Sequence, residues 1–260
     1  MKLKSKSLTS SAVAFLVLFC LTLNVSAQEK SYGWFCTHRK DHLQPIADNS
    51  LSLIDRYNAF YIDADHGDEC EEKVIYLTFD AGYENGNIEK TLDILKQESV
   101  TGAFFILGNL LTKNTQLVQR MFDEGHLVCN HTYSHKTMAG ISREDFCREL
   151  QKLEYKCMEL TGNCIAKYYR PPEGVFDERS LQYAKELGYK TVFWSFAYAD
   201  WDNEKQISEQ KAKEKILQNV HNGEIMLLHP TSDTNVKILR DVIRELKHQG
   251  YRFASLDELK

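Results

Sequence analysis

Asp80, the pair His131 and His135, Arg170 and His229 each follow closely on a short apolar run that reads as a β-strand. The runs cover residues 74–79, 126–130, 167–169 and 224–228. Polar groups gathered at strand ends are what a metal-dependent hydrolase on a β/α barrel requires, because such folds collect their chemistry at the C-terminal ends of the strands. The two imidazoles of His131-Thr132-Tyr133-Ser134-His135 are four residues apart, a spacing that can set both on one side of a helical turn to hold a divalent ion. A zinc-peptidase reading fails, because its HExxH motif needs a glutamate immediately after the first histidine and Thr132 stands there. Asp80 is either a metal ligand, a general base for a bound water, or an ordinary turn residue before Gly82. Arg170 precedes two prolines and suits the task of holding a carboxylate, although a surface arginine before a stiff turn would look the same. His229, ahead of Pro230, can give a proton to a leaving amine, and Asp200 is a carboxylate able to raise and orient that imidazole. No phosphate-binding glycine loop follows the first strand, and no serine nucleophile elbow is present.

These side chains need a scaffold, and the pattern supplies one. From Lys73 onward short apolar runs alternate with amphipathic stretches. Ile88, Leu92 and Leu95 fall at helical spacing after the first strand. A strand over 103–107 and a helix over 117–124 follow. Ser142-x-x-Asp145 resembles a helix start, with Phe146, Leu150, Leu153 and Cys157 on its apolar stripe. Further helices are expected over 177–187, 207–219 and 236–248, and further strands over 191–196, 224–228 and 251–254. Repeated β-then-α order implies parallel strands joined by right-handed crossovers. About seven such units are too few residues for a full eight-fold barrel of ~250. The expectation is an α/β fold, a smaller or incomplete barrel over 73–260, with residues 28–72 as an N-terminal extension packed on it.

Residues 1–27 read as a secretory signal peptide: a basic head of Lys2, Lys4 and Lys6, an apolar core from Ala12 to Leu23, and a Val25-Ser26-Ala27 cleavage site. The core is short for a membrane span. Removing three lysines and no acids takes the net charge from −5 to −8. So acidic a chain is a poor candidate for nucleic acid or anionic lipid, so no nucleic-acid partner and no membrane binding beyond the signal segment are expected. Six cysteines remain after cleavage, and Cys36 with Cys70 and Cys157 with Cys164 are the favoured disulfides, against a set of reduced thiols. The absence of a CxxC argues against a zinc ribbon.

The motifs TFDAG (78–82), HTYSH (131–135), RPPEG (170–174), FWSFAYADW (193–201) and LLHP (227–230) together resemble the polysaccharide deacetylases with a NodB-type domain, carbohydrate esterase family four. The resemblance implies a distorted (β/α)7 barrel. FDAGYENG (79–86) and residues 52–59 look most like the branch that deacetylates muramic acid of spore-cortex peptidoglycan on the way to muramic δ-lactam. Carried over, Asp80 is the catalytic base, oriented by Arg170. His131 and His135 ligate a divalent metal, zinc first, with cobalt and manganese as alternatives. Glu173 offers a backbone N–H to the oxyanion, His229 is the general acid with Asp200 behind it, and Leu228 and Trp201 line the acetyl pocket. The partner is then a peptidoglycan glycan strand and the location the cell envelope or spore cortex space. Most of the family has a metal-binding Asp where Ala81 stands, which leaves two protein ligands; Cys129 is a weak substitute. A GlcNAc deacetylase and a non-catalytic sugar-binding protein are the competing readings.

Overall fold

The computed structural model describes residues 30–260. The expected signal segment lies outside them. The N-terminal part holds three short strands, β1 (Tyr32–Gly33), β2 (Cys36–Thr37) and β3 (Ile46–Ala47), a 3-10 helix over Asn49–Tyr57, and β4 (Ala59–Phe60). Alternation follows: β5 (Lys73–Ala81), α1 (Asn87–Gln97), β6 (Ala103–Ile106), α2 (Gly108–Lys113), α3 (Thr115–Asp123), β7 (Leu127–Asn130), α4 (Arg143–Thr161) and β8 (Ala166–Tyr169). The chain ends through β9 (Val175–Phe176), α5 (Glu178–Glu186), β10 (Lys190–Val192), α6 (Glu209–Asn219), β11 (Glu224–Leu228), α7 (Asp233–His248) and β12 (Tyr251–Phe253).

Local chemistry sets the helix starts. The Ser142 hydroxyl accepts the Asp145 N–H and opens α4 as the sequence pattern predicts, while Asp177 and Ser180 cap each other at α5. Ser208 accepts the Lys211 N–H at the start of α6, and Ser232 the Asn235 N–H at the start of α7. Ile88, Leu92 and Leu95 are fully buried along α1, as their spacing requires.

The main sheet has eight strands in the order β11-β5-β6-β7-β8-β10-β4, with β12 also on β5, and every pairing in it is parallel. The sheet curls towards closure through isolated bridges, Phe196 to Met226 and Ile62 to Glu224. Two apolar layers result. Tyr76, Phe105, Cys129, Val192 and Ile225 fill the inside of the curl, and Phe79, Phe104, Leu92, Leu153 and Ile243 pack between sheet and helices. Strand alternation therefore leaves Thr78 and Asp80 on the inner face, next to the strand ends.

Three expectations change. Residues 28–72 do more than pack on the barrel: β4 is its edge strand, paired with β10 at Ala59 and Phe60. A two-residue strand carries no periodic signal, so its place in the sheet was invisible locally. The helical region after β6 is two helices broken at Asn114, not one. All six cysteines among the described residues are free thiols, so neither Cys36–Cys70 nor Cys157–Cys164 is bonded. The Cys36 thiol points instead at the Ser195 carbonyl (3.4 Å), and burial pushes it up to about 12; the Cys157 thiol meets the Thr161 hydroxyl (3.6 Å). Among the described residues no helix is long and apolar enough to cross a membrane.

Candidate active site

The mouth of the curl is organised around one fully buried guanidinium. Arg170, just past β8, donates Nε–H to the Val192 carbonyl (2.9 Å) and Nη2–H to Thr78 Oγ1 (3.0 Å) and the Phe193 carbonyl (3.1 Å). Its Nη1–H reaches Asp80 Oδ1 at 2.9 Å, and the Phe105 ring lies under it. A cation can stay buried only when its donors are so widely satisfied. Arg170 thereby holds the Asp80 carboxylate, which keeps 10 % exposure, towards the mouth. Burial pushes the Asp80 carboxyl up, but the neighbouring His131, Arg170 and His229 outweigh it, so the carboxyl lies below its ordinary value and stays ionised.

His131 Nε2 lies 3.5 Å from the other carboxylate oxygen, Asp80 Oδ2. Its Nδ1–H donates to the Arg170 carbonyl (2.9 Å), which leaves the Nε2 lone pair free. Burial lowers this imidazole to about 4, so it is neutral, as a ligand must be. His135 stands beside it with ring centroids 5.0 Å apart. No helical turn makes this pair. A tight loop does, in which Thr132 (φ 74°) and His135 (φ 57°) both take left-handed conformations. For a β-branched residue that is a real strain. Hydrogen bonds hold it: Thr132 N–H to Asn130 Oδ1 (2.9 Å) and His135 N–H to Thr132 Oγ1 (2.9 Å). The loop also needs a neighbour without a side chain, because a Cβ on Gly108 would sit 2.6 Å from the Tyr133 ring.

A free Nε2 lone pair with its Nδ1 anchored on a carbonyl fits a divalent ion, and the neighbouring His135 ring completes a two-nitrogen donor set. Among the described residues no group of three His, Cys, Asp or Glu side chains is placed to hold one. Cys129 does not supply the third ligand. It is fully buried in the inner apolar layer, and burial keeps its thiol protonated.

His229, past β11, lies within the electrostatic reach of the same carboxylate. Its Nδ1–H donates to Asp200 Oδ1 (2.7 Å), and its backbone N–H to Asp200 Oδ2 (2.8 Å). Asn235 Nδ2 donates to that second oxygen (2.5 Å), and Tyr198 OH in turn donates to Asn235 Oδ1. Burial alone would lower His229, but the hydrogen bond and charge of Asp200, joined by the charge of Asp80, raise it above the ordinary imidazole value. The ring remains 24 % exposed, so its Nε2 is presented outward as a proton donor.

The rim is less uniform. Glu173 is exposed and held left-handed (φ 58°) in the Pro172–Gly174 turn. Trp201 is 59 % exposed, edge-on to His229 with centroids 5.9 Å apart. Leu228 does not line the mouth: it packs in the layer between sheet and helices, and alternation puts Leu227 on the face of His229. Three contributors escaped the sequence reading. Thr78 was the one aliphatic hydroxyl in the apolar run 74–79, a usable signal. Trp194, whose ring lies 5.8 Å from the Arg170 guanidinium, and Asn235, in the first turn of α7, gave none.

The polysaccharide deacetylase family matches residues 67–192. Over 228 residues the chain is 41 % identical to the peptidoglycan-N-acetylmuramic acid deacetylase PdaA of Bacillus subtilis, covering 87 % of this chain and 85 % of that protein. It is 34 % identical over 189 residues to a peptidoglycan-N-acetylglucosamine deacetylase of Bacillus cereus, covering 71 % and 67 %. The solved structure of Bacillus subtilis PdaA, described as a family 4 carbohydrate esterase, superposes with a TM-score of 0.83 at 40 % identity, covering 88 % of this chain and 97 % of that one.

Proposed function

We infer the reaction from one premise: this chain belongs to the polysaccharide deacetylase family. It hydrolyses the N-acetyl group of muramic acid in peptidoglycan, releasing acetate and leaving an amine on the sugar. The observation that carries this is the setting of Asp80: Arg170 holds one oxygen at 2.9 Å, and the other stands 3.5 Å from His131 Nε2. The carboxylate is fixed, ionised and beside the two imidazoles.

A divalent ion at His131 and His135, zinc first, supplies Lewis-acid polarisation of the acetamide and a lowered pKa for water when bound. The rest is the chain's own work. Asp80 accepts the proton of the attacking water, with Arg170 preventing its carboxylate from turning away. The Glu173 backbone N–H, turned out by its left-handed conformation, donates to the developing oxyanion. His229, which Asp200 on Nδ1 helps to keep its proton to higher pH, gives its Nε2 proton to the sugar nitrogen as the C–N bond breaks. That donation is needed because an unprotonated amide nitrogen is a very poor leaving group. Leu227 and Trp201 border the acetyl group.

Muramic acid is favoured over N-acetylglucosamine by the greater likeness to the muramic deacetylase, in both identity and coverage, and by Ala81 in the YENG-containing motif. The working unit is the barrel together with its β4-bearing N-terminal part, exported by residues 1–27 and acting in the cell envelope or spore cortex. Mass spectrometry of peptide-stripped peptidoglycan, after incubation with the mature protein and zinc, cobalt or manganese, tests the reading. Loss of one acetyl from muramic acid is expected. Loss only from N-acetylglucosamine would move the specificity to the alternative sugar, and binding without any acetate release would leave a sugar-binding protein.

A further inference from the structure

A groove of about 500 Å³ starts beside the imidazole loop and runs down the outer face of α4. Tyr133, from between His131 and His135, forms its upper wall, and residues of α4, among them Arg148, Lys152, Tyr155, Lys156 and Glu159, form the rest. Its charges are unequal. Arg148 is paired with Glu144 (2.8 Å) and Asp145 (2.5 Å), and Lys156 with Glu159 (2.9 Å). Lys152 has no carboxylate within ion-pair distance among the described residues; its ammonium lies 3.8 Å over the Tyr133 ring. Tyr155, one helical turn on, is 73 % exposed. An aromatic face left in water next to an uncompensated ammonium is unusual on a chain whose net charge is −5.

We propose that this groove is a second contact region for the polymer, in which Tyr155 stacks on a sugar ring and Lys152 pairs with a carboxylate carried by a neighbouring residue of the same glycan strand. The proposal rests on the peptidoglycan reading above and extends it: carboxylates are what distinguish muramic-acid strands from neutral chitin-like ones. Tyr133 stands between His131 and His135 in the chain, so a strand held in the groove lies beside the loop that carries both imidazoles. The carboxylate belongs either to the lactyl group of a bare muramic acid or to an attached stem peptide.

The test compares the full mature protein with Lys152→Glu and Lys152→Glu/Tyr155→Ala variants. Three substrates separate the sources: peptide-free strands, strands bearing stem peptides, and peptide-free strands with methyl-esterified carboxyls. A KM raised about tenfold with kcat kept within about twofold is expected on acid-bearing strands, with the esterified strand indifferent to the substitutions. A rise on peptide-bearing strands alone assigns the carboxylate to the peptide; a rise on peptide-free strands alone assigns it to the lactyl group; a rise on both means that Lys152 accepts whichever carboxylate the strand carries. Unchanged KM in every arm overturns the proposal. Should the wild type release no acetate from any muramic strand, the reaction reading fails by itself, and co-sedimentation with the same strands decides the groove: binding weakened by the variants supports it, and equal binding sinks it.

Discussion

Replacing Asp200 by Asn separates the chemical role of His229 from its structural one. In the structure one Asp200 oxygen accepts two N–H donors, the His229 backbone and Asn235 Nδ2, while the other accepts His229 Nδ1–H. An asparagine keeps the first pair only by placing its carbonyl there, so its NH2 must face Nδ1. The imidazole is then locked with a lone pair at Nδ1, and the imidazolium cannot form. The raised His229 depends on the hydrogen bond and charge of Asp200; without them burial prevails and lowers it. General acid catalysis contributes about 10² to 10⁴ in rate, so deacetylation should fall by roughly 10³, about 4 kcal/mol of barrier. A raised imidazole keeps its proton to higher pH, so the alkaline limb of kcat should move to lower pH in the variant. The assay pairs the natural acetamide with an activated acetyl ester whose leaving group needs no protonation. Asp200→Asn should spare the ester to within about tenfold. Equal losses on both substrates, in a variant with unchanged circular dichroism, would refute the general-acid role.

His131→Ala should remove one of two imidazole ligands and abolish stoichiometric zinc retention after dialysis; equilibrium binding equal to wild type would count against ligation. Gly108→Ala places a methyl 2.6 Å from the Tyr133 ring and should cost about 1–3 kcal/mol while loosening the imidazole loop, seen as a lower melting temperature and weaker zinc binding. An unchanged melt would show that the loop can yield. Glu224, fully buried with Oε1 unpartnered, is pushed well above its ordinary value by burial. The folded chain then holds a proton that the unfolded chain releases above about pH 4.5, so Glu224 costs stability progressively as pH rises past that point. Glu224→Gln should raise the melting temperature at neutral pH, with the gain vanishing near about pH 4. A gain independent of pH would contradict the buried neutral acid.

Much of the site was legible because each polar residue stood at the end of an apolar run, and parallel α/β architecture brings such ends to one rim. The helix starts at Ser142 and Asp177 were legible too, since capping is a contact between residues three apart. Leu227 could have been read instead of Leu228, because two-residue alternation from His229 already gives the face. Other features carried no local trace. The strand formed by Ala59 and Phe60 exists only because β10 offers it free backbone groups.

Residue order therefore determined which chemistry was possible: an acid, an arginine and three imidazoles following closely on apolar runs, with a second acid in reach of the last. Tertiary structure decided which of them act together and in what state. Arg170 and Asp80 are ninety residues apart in the chain yet directly hydrogen-bonded, and His131 owes its free Nε2 to a carbonyl thirty-nine residues away. The cause is physical: charge state and tautomer depend on burial and on partners across the barrel, and those are set by the closing of the sheet rather than by any neighbour in sequence.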